Sequence, residues 1–75
     1  MSIIIVHGPQ GTGKTTHGEA LRQHYRCSRV VDGWSEEIVA LRQGDLALTN
    51  QSPPFDVLGA TVVDIETAKR EAGLR

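Results

Sequence analysis

The run Gly8-Pro9-Gln10-Gly11-Thr12-Gly13-Lys14-Thr15 carries the densest chemical signal in the chain. Its three glycines free the backbone to wrap a compact anion with N–H groups pointing inward. Lys14 adds a cation on a long stem. The Thr15 hydroxyl can ligate a hard divalent cation, and Thr16 brings a second hydroxyl beside it. This set suits the oxygens of a phosphate chain and the Mg²⁺ that travels with it. The spacing is Gly, four residues, then Gly-Lys-Thr. From average residue frequencies, that pattern arises by chance in so short a chain on the order of a few times per thousand. A bare Gly-rich turn is therefore a poor account of it.

The elements around the run fit the same chemistry. Residues 3–7 (Ile-Ile-Ile-Val-His) are β-branched and apolar without alternation, the pattern of a strand buried on both faces. Residues 14–26 read as a helix with Ala20, Leu21, His24 and Tyr25 near one face. Gly18 weakens that helix by roughly 1 kcal/mol relative to Ala, which suggests a close contact there. A second strand is expected at 29–32, ended by Gly33, then a short helix at 36–43 capped by Ser35 and ended by Gly44. The third strand is 46–49. Residues 51–58, with Pro53 and Pro54, form a loop. The fourth strand is 60–64, and a helix follows over 65–72 with Asp64 as N-cap and Gly73 as terminator. Strands alternating with helices imply a parallel sheet, so a single α/β domain over residues 1–75 is expected. Ligands of such sheets bind at the carboxyl ends of the strands. Asp32, Asn50 and Asp64 fall at those ends.

With these motifs the chain resembles a minimal P-loop NTPase. The resemblance covers most of the chain in architecture, and only the phosphate loop is specific. It implies a small three-layer fold with strand order 2-3-1-4. It implies ATP and Mg²⁺ bound by Gly8, Pro9, Gln10, Gly11, Thr12, Gly13, Lys14, Thr15 and Thr16. Val30-Val31-Asp32 resembles a Walker B strand whose Asp holds the metal through water. Leu46-Ala47-Leu48-Thr49-Asn50 resembles the sensor strand of AAA+-type ATPases, whose Asn orients the attacking water. By that likeness the catalytic set is Lys14, Asp32 and Asn50, and the metal ligands are Thr15 and Asp32. The chain departs from the pattern at Gly33, where a water-polarising Glu commonly stands. Glu36 and Glu37 suit the first turn of a helix instead. There is no helical lid. An arginine finger must come across a subunit contact from Arg42, Arg70, Arg75 or the end of the first helix.

These gaps imply slow or partner-dependent hydrolysis. The alternatives are a small-molecule kinase with a subunit-supplied lid, in which Asp32 contacts the acceptor, and a non-catalytic nucleotide-gated interaction module. A GTPase is disfavoured, because Asn50-Gln51-Ser52-Pro53 lacks the Lys and Asp of the guanine-reading motif.

The remaining composition sets outer bounds. A chain of 75 residues buries a modest core, so a homo-oligomer, in the first place a dimer, is expected. The formal net charge of −1 gives no pull toward nucleic acid or anionic membrane. Arg22, Arg26 and Arg29 form a local basic cluster that reads as a solvated face. The apolar run at 3–6 is too short for a signal peptide or membrane span. Cys27 is the only cysteine, which excludes an intrachain disulfide and fits the cytoplasm. It reads as a small buried hydrophobe. His17 and His24 are seven apart, not the i, i+4 of a metal pair, and His7 reads as a strand-end residue. Trp34 and Phe55 read as core, though the Pro-Pro-Phe loop lies where a nucleobase could be covered.

Overall fold

The computed structural model describes residues 3–9, 16–35, 40–55, 57 and 59–73. Four strands and two helices follow one another as β1 (Ile3–His7), α1 (Gly18–His24), β2 (Arg29–Val31), β3 (Asp45–Thr49), β4 (Ala60–Asp64) and α2 (Ile65–Glu71). The sheet has the order β2-β3-β1-β4, and every pairing is parallel. The expected order 2-3-1-4 is therefore the observed one.

Burial explains why β1 and β3 take the centre. Ile3, Ile4, Ile5 and Val6 are all buried, as is every residue of β3. Alternate side chains feed two cores. Ile4, Val6, Leu46 and Leu48 meet Leu21, Ile65 and Ala68, so α1 and α2 cover one face together. Ile3, Ile5 and Ala47 meet Trp34, with Val31, Leu41, Phe55 and Val57 against them. Described loop segments, rather than helices, cover that second face.

Helix boundaries differ from the sequence expectation. Thr16 and His17 form a turn, and α1 begins at Gly18. A β-branched Thr and a half-buried His give little reason to extend the helix backward. Positions 14 and 15 of the expected helix lie outside the described residues. Gly18 is buried against the sheet, and a Cβ there would lie 3.3 Å from Leu48 Cδ1. The missing side chain lets α1 approach β3. Of the helix expected at 36–43, residues 36–39 lie outside the described set. Ala40, Leu41 and Arg42 have no regular structure, and Gln43 and Gly44 form a turn. Leu41 still reaches the second core.

At the amino end of the strands, a charged clamp fixes the β2–β3 edge. Arg29 donates from Nε and Nη2 to the two Asp45 oxygens at 2.9 and 2.8 Å. The Arg42 amide donates to Asp45 Oδ2 at 2.9 Å. The Arg29 guanidinium beside buried Asp45 holds its carboxyl below the usual range. Tyr25 ties the two helices by donating to Glu71 at 3.1 Å. Burial, then Glu71, pushes its phenol up to about 12.

Both helices end the same way with different residues. After α1, the Arg26 amide donates to Gln23 O and the Cys27 amide to Arg22 O. Arg26 itself sits at φ 58. After α2, the Gly73 amide donates to Arg70 O, and Gly73 sits at φ 73. A left-handed residue at this position closes a helix cheaply only when it is glycine. Arg26→Gly should therefore stabilise the protein by about 0.5–1 kcal/mol, the relieved strain outweighing added chain entropy. Gly73→Ala should destabilise it by about 1 kcal/mol. Urea unfolding of both variants checks the opposite signs. A loss of stability in Arg26→Gly would show that its side chain matters more than its backbone.

Candidate functional site

The carboxyl edge of the sheet gathers Asp32, Asn50 and Asp64, as their places at the strand ends predict. β1 ends at His7, whose register partners are Thr49 on β3 and Asp64 on β4. The chain leaves β1 through Gly8 and exposed Pro9. The Gly8 amide donates to Thr49 O at 3.2 Å, so it prolongs the sheet and is committed there. Amide donors for an anion must come from later in the run. Gln10, Gly11, Thr12, Gly13, Lys14 and Thr15 lie outside the described residues. Thr16, where the description resumes, is exposed in the turn before α1.

Asn50 follows β3 directly and is exposed beside the start of the Gly-rich run. A side-chain bond spans it: Thr49 is buried and its hydroxyl accepts from the Gln51 amide at 3.0 Å. Asp32 follows β2, which is shorter than expected. Asp32 and Gly33 form a turn with Gly33 at φ 65, and the Trp34 amide then donates to Leu48 O at 2.8 Å. The turn pushes Asp32 into solvent while Trp34 drops into the second core. Asp32 and Asn50 thus stand on neighbouring strands. Asp32 is two strands from β1, about 10 Å at ordinary strand spacing. Contact with a metal held on the β1 loop would need a bridging water.

Asp64, the other carboxylate of this edge, is half-buried and already employed. It caps α2 by accepting from the Thr67 amide at 3.4 Å. Its carboxyl is held below the usual range by Thr67, with His7 a smaller contribution. Among the described residues, no three His, Cys, Asp or Glu side chains gather as a metal site.

Sequence reasoning missed an aromatic contact chain at this edge. Phe55 lies 5.5 Å from Trp34 and 6.3 Å from His7, ring centroid to centroid. The odd-numbered residues of β1 face the second core, and that period-2 placement of His7 was the available signal. His7 therefore packs at the strand end, as expected of it. The other singled-out residues have structural partners. Arg22 pairs with Glu19 and Arg29 with Asp45, so two of the three clustered arginines face carboxylates. Arg26 and Arg42 are exposed near the amino end of the strands, away from this edge. Cys27 is buried, and burial pushes its thiol up, which leaves it unreactive. No helix among the described residues is long and apolar enough to cross a membrane.

Comparisons with family models, curated proteins and solved structures give no match.

Asp64→Ala should lower stability by about 1 kcal/mol through the lost cap, while Asp64→Asn should stay near wild type at neutral pH. The folded-state pKa of Asp64 lies below its unfolded value. Its stabilisation is thus present above the unfolded pKa and is lost as pH falls through the folded one. Asp64→Asn should therefore flatten the acid limb of the stability curve. An unchanged acid limb in denaturation measured from pH 7 to 2 would assign that limb to other carboxyls, Asp45 first.

Proposed function

We propose that this chain binds ATP with Mg²⁺ at the carboxyl edge of its sheet and hydrolyses it slowly or with a partner's help. One observation carries the proposal. The Gly-x-x-x-x-Gly-Lys-Thr run at Gly8, Gly13, Lys14 and Thr15 continues directly from β1, an inner strand of a parallel 2-3-1-4 sheet. That is where ligands of such sheets bind.

In this proposal the backbone of residues 10–16 would cradle the phosphates and Lys14 would reach the β- and γ-oxygens. Thr15, and Asp32 through water, would hold the Mg²⁺, which when bound offsets charge on the transferring phosphoryl group. Asn50 would orient the attacking water. Asp32 and Asn50 are both exposed. An open site is wet, and its dipoles stabilise a transition state poorly, which supports slow turnover. Dimerisation that supplies an arginine is part of the proposal, and so is a cytoplasmic setting for the single buried thiol. Release of ADP only with an acceptor present would instead identify a kinase. Tight binding with no turnover would identify an interaction module.

Millimolar Mg-ATP should raise the melting temperature. At a ligand level about 100-fold over the dissociation constant the stabilisation is roughly 2.7 kcal/mol. Lys14→Ala should abolish that shift and the heat of binding in a calorimetric titration. Equal affinity in wild type and variant would remove the phosphate-loop assignment.

Asp32→Asn should weaken binding with Mg²⁺ more than binding without it. Asn50→Ala should slow single-turnover hydrolysis while leaving affinity near wild type. A variant pair with these effects absent would leave Asp32 and Asn50 as surface residues of the strand ends.

A further inference from the structure

Charge is segregated along the strand direction, although the whole chain sums to only −1. Both helices run back from the carboxyl edge, so their last turns lie toward the amino ends of the strands. Those turns carry Arg22 and His24 on α1, and Lys69 and Arg70 on α2. Arg26, Arg29 and Arg42 join them around the starts of β2 and β3. No Lys or Arg among the described residues lies at the carboxyl edge, whereas Asp32, Asp64 and Glu66 do. A five-residue strand separates the two ends by about 13 Å. That exceeds the screening length of about 10 Å at 0.1 M salt, so a ligand at one end feels little of the other.

The cations are densest at the corner where β2 and β3 begin. The Ser28 and Arg29 amides both donate to Gly44 O, at 2.6 and 3.2 Å, and the Asp45 amide donates to Arg42 O at 3.0 Å. These bonds set Arg29, Arg42 and the link 26–28 side by side. Arg22 reaches the same link, donating from Nη1 to Cys27 O at 2.9 Å. Arg29 uses Nε and Nη2 on Asp45, yet its side chain stays 55% exposed and open to a second acceptor. Arg26 and Arg42 are exposed and form no ion pair with a described carboxylate. Arg26 also sits at φ 58, in the place that Gly73 takes after α2. The chain thus bears backbone strain under a guanidinium that no described carboxylate engages, and such strain points to a ligand.

We propose that this corner binds the phosphate backbone of a single-stranded nucleic acid. Its cations are all arginines, whose forked donors match phosphate oxygens two at a time. It exposes no large hydrophobic side chain: among the described residues the one so exposed is Val62, on β4. A protein partner needs an apolar interface centre, and a membrane needs an apolar or lipid anchor besides charge. A phosphate backbone needs neither. Exposed His24 ends α1 two residues before Arg26 and offers a ring on which an unpaired base can stack, which favours a single strand over a duplex. The corner lies at the opposite end from the proposed nucleotide edge. The inference therefore does not rest on that reading, and its test omits ATP.

Fluorescence anisotropy of a labelled oligothymidylate should rise on titration with the full chain at about 0.1 M salt. Log affinity against log salt should have a slope of about −2, for three engaged phosphates. Arg26→Gly and Arg42→Ala should each weaken binding roughly fivefold and make the slope shallower by about 0.7. Arg26→Gly relieves backbone strain, so its lost affinity is not lost folding, and urea unfolding of both variants checks this. If Arg26→Gly unfolds, Arg42→Ala decides alone, because the Arg42 amide that serves Asp45 remains. Lys69→Ala removes one cation elsewhere and should bind like wild type. An oligothymidylate that fails to bind overturns the proposal. Equal losses in Lys69→Ala and Arg42→Ala do so too, because overall charge is then the cause. So does equal or tighter binding of polyglutamate, of phosphatidylserine vesicles or of a DNA duplex.

Discussion

Parallel pairing of β1 and β3, with both faces covered, is the constraint on which the rest of the molecule depends. Ile5, Val6, Leu46, Ala47 and Leu48 lie at the bottom of two cores and have essentially no contact with solvent. Their backbone groups are satisfied only by neighbouring strands, so the register between them leaves no freedom to slip. That fixed register delivers His7, Thr49 and Asp64 to one edge at one level. It also fixes the point at which the chain leaves β1 for the Gly-rich run. The carboxyl edge inherits its geometry from the least polar part of the sequence.

Charge is distributed around that core with a clear division of labour. At the amino end, Asp45 accepts from Arg29 and from the Arg42 amide, and this buried carboxylate joins the start of β3 to β2 and to the preceding loop. At the carboxyl end, Asp64 serves α2, whereas Asp32 and Asn50 face solvent. Asp45 and Asp64 thus each anchor a neighbouring element, and Asp32 and Asn50 are exposed. Under the nucleotide proposal, such exposure would suit an open site, in which chemistry would be slow.

The helices are short, and their limits are set by tertiary contacts. α1 gains its place through Gly18, whose missing Cβ lets the helix lie on Leu48 and Val30. It stops where Arg26 adopts a left-handed conformation, a strain borne because Cys27 beyond it is buried in the core. α2 is short but well capped at both ends. With α1 and α2 on one face and described loop segments on the other, β4 has an outer edge that no other described residue pairs.

Hydrophobic pattern determined the strands, because a run such as Ile3-Ile4-Ile5-Val6 is best satisfied in the middle of a sheet, and their alternation with helical segments gave the parallel arrangement. The capping role of Asp64 was legible too, since an Asp before a helical segment satisfies orphan amides. The Gly-Lys-Thr spacing carried the whole of the nucleotide proposal, and geometry at residues 10–15 lies outside the described set. Other features were decided by tertiary structure. The start of α1 and the irregular course of residues 40–42 reflect packing against the sheet, which overrides weak local helix preference. The withdrawal of Asp32 from β2 depends on Trp34 needing the second core. The pairing of Arg29 with Asp45 joins residues sixteen apart in sequence, and no local pattern encodes such a contact. Spacing along the chain reports which residues share a face, but distance between strands exists only once the sheet has formed.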